Sequence, residues 1–280
     1  MNANKRNIIL VSIVILLGMS LGGKVFLSHK HLFTDQFRMV FLDVGQGDSV
    51  LIETPQNMTI LIDGGRDQRA LQQLIEVHGY FARTIDLLVL THSDADHIGG
   101  IPEIMKHYTV RAVMLPGSKD TENKVYQNVL RHIKQRKIRT IPAQAGETIS
   151  AGKVSFKVLH PQKSQWGTQV ENENIHSIVL RGTYKDTSFL LPGDITAVEE
   201  RRLVRSDVTL EADILKAAHH GSDSSTSQTF LDAVNPETVV ISAGQDNRYG
   251  HPADEVLNRL KKNSIQIRST IREGNVDIRQ

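Results

Sequence analysis

Thr91-His92-Ser93-Asp94-Ala95-Asp96-His97-Ile98-Gly99-Gly100 is the stretch on which the fold and the chemistry of this chain turn. It follows Asp86 to Leu90, a short apolar run with the length and composition of a buried strand. Within six residues it offers four groups able to hold a metal: His92, Asp94, Asp96 and His97. On an extended backbone His92, Asp94 and Asp96 project to one side, and His97 follows as the chain turns at Gly99-Gly100. Ionisable groups packed this closely repel unless cations neutralise the carboxylates, so two adjacent divalent ions are expected here. An Asp-rich loop with Asp96 capping the next helix would explain the carboxylates. It would not explain two histidines at these offsets.

Working outward, the pattern is of short strands and intervening helices. Strands are expected at Phe37 to Leu42, Ser49 to Thr54, Met58 to Ile62 and Val110 to Leu115. Helices are expected at Gln68 to Val77, Ile101 to Tyr108 and Lys124 to Arg136. The second half repeats the rhythm, with strands at Val154 to Leu159, Ile178 to Tyr184, Ser188 to Leu191, Ile214 to Ala218, Val239 to Ser242 and Ile265 to Arg268. Its helices fall at Ala197 to Val204, Thr229 to Val234 and Ala253 to Lys261, and residues 162 to 174 read as a surface loop. Two such halves make an α/β protein, a four-layer αββα sandwich with helices outside two sheets. Polar residues stand where its strands end: Asp194 in Leu190-Leu191-Pro192-Gly193-Asp194, His219 and His220 in Ala218-His219-His220-Gly221-Ser222, and His251 in Tyr249-Gly250-His251-Pro252. Ser222, Ser224, Ser225 and Thr226 are either donors to a phosphate or caps for the next helix.

Composition narrows the chemistry. The 280 residues contain no cysteine, which excludes disulfide scaffolds, thiolate zinc sites and cysteine nucleophiles, so a metal must be held by His and carboxylate. Lys+Arg 33 against Asp+Glu 31 leaves a net charge of +2, too little to bind nucleic acid by overall charge. Aromatics are 5% with a single Trp166, which argues against rows of stacking rings. Lys5 and Arg6 precede an uncharged, mostly apolar stretch from Asn7 to Gly23, the layout of an export signal or a short membrane anchor. Residues 1–23 are therefore read as anchor or signal, 24–34 as a linker and 35–280 as the folded domain that carries the site. The basic residues on the cytoplasmic side place that domain outside the membrane, or secreted if the signal is cleaved.

His92-x-Asp94-x-Asp96-His97 resembles the HxHxDH signature of the metallo-β-lactamase superfamily with Asp in place of the second His. With Asp43-Val44-Gly45-Gln46-Gly47-Asp48-Ser49, Asp63-Gly64-Gly65 and the three strand-end motifs, the chain is similar to the hydrolase domain of ComEC-type DNA-uptake proteins from Phe37 to about Thr270. The resemblance implies an αββα fold and two ions held by His92, Asp94, Asp96, His97, a bridging Asp194 and one of His219 and His220. It also implies that Asp63 and Asp48 brace the ligands. Asn174 or His176 stands near the place of a further ligand, and motif spacing does not choose between them. Asp94 in the position of a histidine hardens the site toward Mn²⁺ beside Zn²⁺.

The implied reaction is phosphodiester hydrolysis by a hydroxide held between two metals, with nucleic acid or another phosphodiester as substrate. Asp96 and Asp194 would orient the nucleophile, and His251 or the spare member of the 219/220 pair would protonate the leaving oxygen. The same centre would serve another phosphoester, such as a wall polymer, or a carboxylic ester, lactone or lactam. A catalytically silent binding module on this fold would lack ligands, and here every expected position except the Asn174/His176 one holds a competent residue.

Overall fold

Strand Arg38–Phe41 (β1) is buried on both faces: Phe37, Met39 and Phe41 point to one cluster of apolar side chains, Val40 and Leu42 to another. This double burial is why the strands read as continuous apolar runs. The computed structural model describes residues 36–118, 122–163, 165, 167–169 and 172–280. The expected anchor, residues 1–23, and linker, 24–34, lie outside the described residues. Among the described residues no helix is long and apolar enough to cross a membrane.

After β1 come Val50–Glu53 (β2), Thr59–Ile62 (β3), helix Arg69–His78 (α1), Thr84–Val89 (β4), the one-turn helix Ala95–Ile98 (α2), Ile101–His107 (α3), Thr109–Leu115 (β5), Lys124–Gln135 (α4) and Arg139–Pro142 (β6). The second half runs Thr148–Ala151 (β7), Val154–His160 (β8), Val179–Tyr184 (β9), Thr187–Leu191 (β10), Ala197–Val204 (α5), Ile214–Lys216 (β11), Gln228–Val234 (α6), Thr238–Ile241 (β12), Asp254–Lys262 (α7), Gln266–Ser269 (β13), Thr270–Glu273 (α8) and Val276–Arg279 (β14). They form two seven-stranded sheets, in the orders β14-β1-β2-β3-β4-β5-β6 and β13-β12-β11-β10-β9-β8-β7.

The two sheets face each other across one core, where Phe189 stacks on Phe37 at 5.6 Å between ring centroids and meets Phe156 edge-on at 5.8 Å. Such ring pairs contribute about 0.5–1.5 kcal/mol each beyond their buried area. A second cluster seals α1, α3 and α4 onto the outer face of the first sheet, and a third seals α5, α6 and α7 onto the second. The expected αββα sandwich is therefore the observed fold.

Three strands escape the sequence reading. β6 and β7 are short and mostly exposed, and β14, also short, pairs antiparallel with β1, Arg38 opposite Arg279. None of the three carries the apolar run that marks a buried strand.

Within each sheet four strands are parallel, β3 to β6 and β10 to β13. Parallel strands aim their carboxyl ends the same way, and ligands of such sheets gather beyond those ends. Asp63 follows β3, Thr91 and His92 follow β4, Asp194 follows β10, Ala217 to His220 follow β11 and Ser242 follows β12.

Candidate metal centre

The backbone around the first motif is shaped by close approach. A Cβ at Gly99 would run into the Arg66 carbonyl, and one at Gly47 into the Asp96 carbonyl. Glycine at these two points lets the 45–48 and 64–67 loops lie directly against the His92 to His97 segment. Its conformation differs from the extended one expected. The chain turns helical at Ala95, so Asp96 and His97 sit on α2 and only His92 and Asp94 precede it. Asp94, not Asp96, occupies the cap position, and its side chain makes no capping hydrogen bond. The reason is that the peptide amides of His97 and Ile98 find the Asp94 carbonyl, which closes the turn early.

Three histidines share one arrangement. The Nδ1 of His92 donates to Thr91 Oγ1 at 2.9 Å, that of His97 to Asp63 Oδ2 at 2.8 Å and that of His220 to the Ser242 carbonyl at 3.1 Å. All three are fully buried or nearly so, and in all three Nε2 has no hydrogen-bond partner. A hydrogen bond at Nδ1 fixes the tautomer and leaves Nε2 as the basic, metal-ready nitrogen. Asp194 stands between two of them, its Oδ2 3.2 Å from Nε2 of both His97 and His220, while its Oδ1 has no hydrogen-bond partner. Candidate ligand atoms of Asp48, His97, Asp194 and His220 lie within 4.8 Å of one another.

The remaining predicted residues fall around this group. Asp96 Oδ2 is 3.5 Å from His220 Nε2, and Asp94 Oδ2, half-exposed, is 3.6 Å from His92 Nε2. The His92 and His97 rings are 4.0 Å apart. His219 is turned the other way, with Nδ1 unpartnered and Nε2 3.9 Å from Asp194. His251 lies one ring further out, 5.6 Å from His219 and 6.4 Å from His220 between centroids. Asn174 and His176 occupy a single 3-10 turn outside the four-residue group; His176 faces Glu199 and Arg202, and the buried Asn174 Oδ1 has no partner. Asp63 stands as a brace behind the first motif, accepting from the Thr91 amide and hydroxyl as well as from His97. Asp48, expected as a brace, has its carboxylate inside the group.

Lys216 was not singled out from the sequence. Its Nζ is fully buried, 2.6 Å from Asp48 Oδ2 and 3.9 Å from Asp194 Oδ1. The available signal was a lone cation inside the apolar run Ile214 to Ala218, which a buried strand tolerates only beside a carboxylate. The Ser/Thr cluster after it is committed to structure. Ser225 donates to the Ala218 carbonyl, Thr226 Oγ1 accepts from the Ala218 amide, and Ser227 caps α6.

Charge explains the protonation of the group. Burial disfavours the imidazolium forms of His97 and His220, but Asp194 together with Asp63 or Asp48 raises both well above the ordinary value. Burial likewise opposes ionisation of Asp194 and Asp96, yet the two histidines hold both below the ordinary carboxylate range. Carboxylates that draw protons onto two buried imidazoles are what a divalent cation discharges, since ligation needs neutral imidazole and the ion brings the positive charge. The unpartnered nitrogens and this charge excess both fit divalent metal. Oxygen-rich, imidazole-containing donors suit Mn²⁺ or Zn²⁺.

Comparison with known proteins agrees with this geometry. Residues 42–245 match the metallo-beta-lactamase superfamily model. The chain is 30% identical over 257 residues to ComE operon protein 3 of Bacillus subtilis, covering 85% of this chain and 32% of that protein. It is 30% identical over 255 residues to Recombination protein 2 of Haemophilus influenzae, covering 89% and 29%. It thus spans about a third of the length of the curated relatives it matches. Among solved structures it is similar to CmlA, a diiron beta-hydroxylase from Streptomyces venezuelae, with a TM-score of 0.58 at 15% identity over 88% of this chain and 55% of that one. It is also similar to Igni18, a metallo hydrolase from Ignicoccus hospitalis, with a TM-score of 0.54 at 15% identity over 87% and 98%. At such identity the structural likeness speaks for the fold alone. The match to the family model across most of the chain, on the fold and motif order seen here, makes it a member of the metallo-beta-lactamase superfamily.

Proposed function

We propose that this chain is a metal-dependent phosphodiesterase or nuclease that works outside the membrane, held there by its N-terminal apolar segment. The observation that carries the reading is the set of three buried histidines with unpartnered Nε2 atoms, two of them 3.2 Å from Asp194. Divalent ions bound there would supply Lewis-acid polarisation of a phosphoryl oxygen and lower the pKa of water. We propose His92, Asp94, Asp96, His97, Asp194 and His220 as the residues that hold them.

The chain's own groups do the rest. Thr91, Asp63 and the Ser242 carbonyl aim the imidazoles, so no reorientation is required when substrate arrives. Asp194 and Asp96 face the space between the two motifs and orient the attacking oxygen. His251, beyond His219 and open on one side, is the proton donor to the leaving oxygen. Burial first, then the charges of His219 and His220, lower its pKa. It is therefore a strong acid when protonated, and the negative charge of an incoming phosphodiester raises its pKa again so that it can take up that proton from solvent.

The test is hydrolysis by the full chain, loaded with Mn²⁺ or Zn²⁺, of DNA, RNA, bis(p-nitrophenyl) phosphate and a cephalosporin. Turnover of the phosphodiesters is expected; turnover of the cephalosporin alone would overturn the reading. A reporter active only in the cytoplasm, fused after Gln280, should stay silent in cells, and strong signal there would remove the extracytoplasmic assignment.

A further inference from the structure

Next to His251 stands Tyr249, one of the few large apolar side chains among the described residues that remain exposed, at 49%. Its ring stacks on that of His251, with centroids 5.7 Å apart and planes inclined by 23°. Its hydroxyl accepts from Arg248 Nη2 at 3.3 Å and has the Arg66 charge close enough to help lower its pKa, while the Arg248 guanidinium lies over the ring, 5.2 Å from its centre. The following Gly250 looks onto open space. Arg66 also lines a cleft of about 440 Å³ with Arg69, Gln46, Gly244 and Asn247. That cleft borders the 45–47 loop, whose Gly47 is packed against Asp96. Asn247 ties the two parts together, donating to the carbonyls of Gly244 and His251.

The half-exposed Tyr249 ring, with the Arg248 guanidinium over it, belongs to none of the three apolar clusters of the fold. We propose that Tyr249, Arg248 and Arg66 form a subsite for single-stranded polynucleotide, in which a base stacks on Tyr249 and the adjoining phosphate is held by the two arginines. The assignment rests on the phosphodiesterase reading of the centre. Base–aromatic stacking tolerates any base and needs a strand whose bases are free, so a duplex is a poor ligand. Arginine pairs with phosphate bidentately and also stacks on a base plane, which suits both of its positions here. Stacked on His251, the platform sets the strand one ring away from the proton donor and lets its next phosphate reach the space between the two motifs. A single platform, rather than a row of rings, agrees with the scarcity of aromatic residues in the chain.

The test is fluorescence anisotropy of the full chain with Mn²⁺ and a labelled, cleavage-resistant phosphorothioate oligothymidylate. Tyr249→Ala is expected to weaken binding about 5- to 150-fold, the range of one lost base stack. Tyr249→Phe keeps the ring and should stay within about 3-fold, while Arg66→Ala should lower the salt slope by about one. Lys261→Ala, at the far end of α7, should change neither. Blunt duplex and inorganic polyphosphate should bind more weakly than the oligonucleotide and be indifferent to Tyr249→Ala. Unchanged oligonucleotide binding in Tyr249→Ala, or equal losses for polyphosphate, would overturn the subsite. If the wild type still hydrolyses bis(p-nitrophenyl) phosphate in that case, only the subsite falls. If it hydrolyses no phosphodiester but binds the oligonucleotide through Tyr249, the subsite stands and the catalytic reading falls.

Discussion

The two ligand-bearing loops reach the same end by different means. The first, Thr91 to Gly100, enters a short right-handed helix, and its histidines are aimed by side chains: Thr91 behind His92 and Asp63 behind His97. The second, Ala217 to Ser222, runs through three consecutive left-handed residues, His219 at φ 50°, His220 at 55° and Gly221 at 82°. Left-handed backbone costs a residue with a side chain roughly 1–2 kcal/mol. The second loop bears that cost through tertiary ties: Ala218 to Ser225 and Thr226, the His219 amide to the Gly193 carbonyl, and the Gly221 carbonyl to the Ala253 amide. A ligand on regular backbone is announced by its motif, whereas one on strained backbone is placed by its neighbours.

The largest expected effect treats the loops as equals. His97→Ala and His220→Ala should each remove bound metal and take turnover to background, a loss beyond the roughly 10–100-fold that follows from disturbing a ligand's supporting hydrogen bond. Elemental analysis of each variant, set beside His219→Ala, reads this out. Full metal content in His220→Ala with loss in His219→Ala would reverse the assignment within the second loop.

His251→Ala comes next. A lost proton donor should slow hydrolysis of a natural diester by about 10² to 10⁴-fold and cost much less with a p-nitrophenyl leaving group, which departs without a proton. Equal damage on both substrates would make His251 a ligand or a packing residue, and would extend the second loop's ligand set.

Lys216 tests what the second loop leans on. Breaking a buried ion pair from one side costs about 3–5 kcal/mol, because the surviving charge stays buried and unpaired. Lys216→Met should therefore lower the melting temperature by on the order of 10 °C in EDTA. Added Mn²⁺ should recover part of that loss by supplying the positive charge to Asp48. A melt indistinguishable from wild type would show that the pair contributes nothing to the fold.

The smallest effect is in pH. His97 and His220 have raised values, so the stability they lend to the metal-free chain is fully present below the ordinary imidazole value and is lost as pH rises through their folded values. A metal must displace those protons, so its stabilising effect should grow with pH, by up to about 1.4 kcal/mol per proton for each pH unit. Melting with and without Mn²⁺ at pH 7 and pH 8 measures the widening gap. The same gap at both values would separate these two histidines from the metal.

What was legible in the chain follows the same division. The central strands are flanked on both faces by packed layers, and their apolar runs could be read without a structure. β6 and β7, mostly exposed at sheet edges, could not, because exposed backbone pairs without an apolar signature. The His92 to His97 motif was legible as four ligand-type side chains in six residues. The bend that places Asp96 and His97 on a helical turn was not, since it depends on the amides of His97 and Ile98 finding the Asp94 carbonyl.

The sequence by itself determined the layer order, the absence of thiolate chemistry and the positions at strand ends where His and Asp could collect. These depend on burial and on residue type, which are local properties. Only the tertiary structure decided that His220 rather than His219 faces Asp194 at close range, that Asp48 joins the group with Lys216 against it, and that Tyr249 lies on His251 beneath Arg248. The first two of those contacts join segments far apart in the chain. Their geometry is set by how the two sheets pack and by backbone strain that only packing sustains, and no spacing along the chain encodes either.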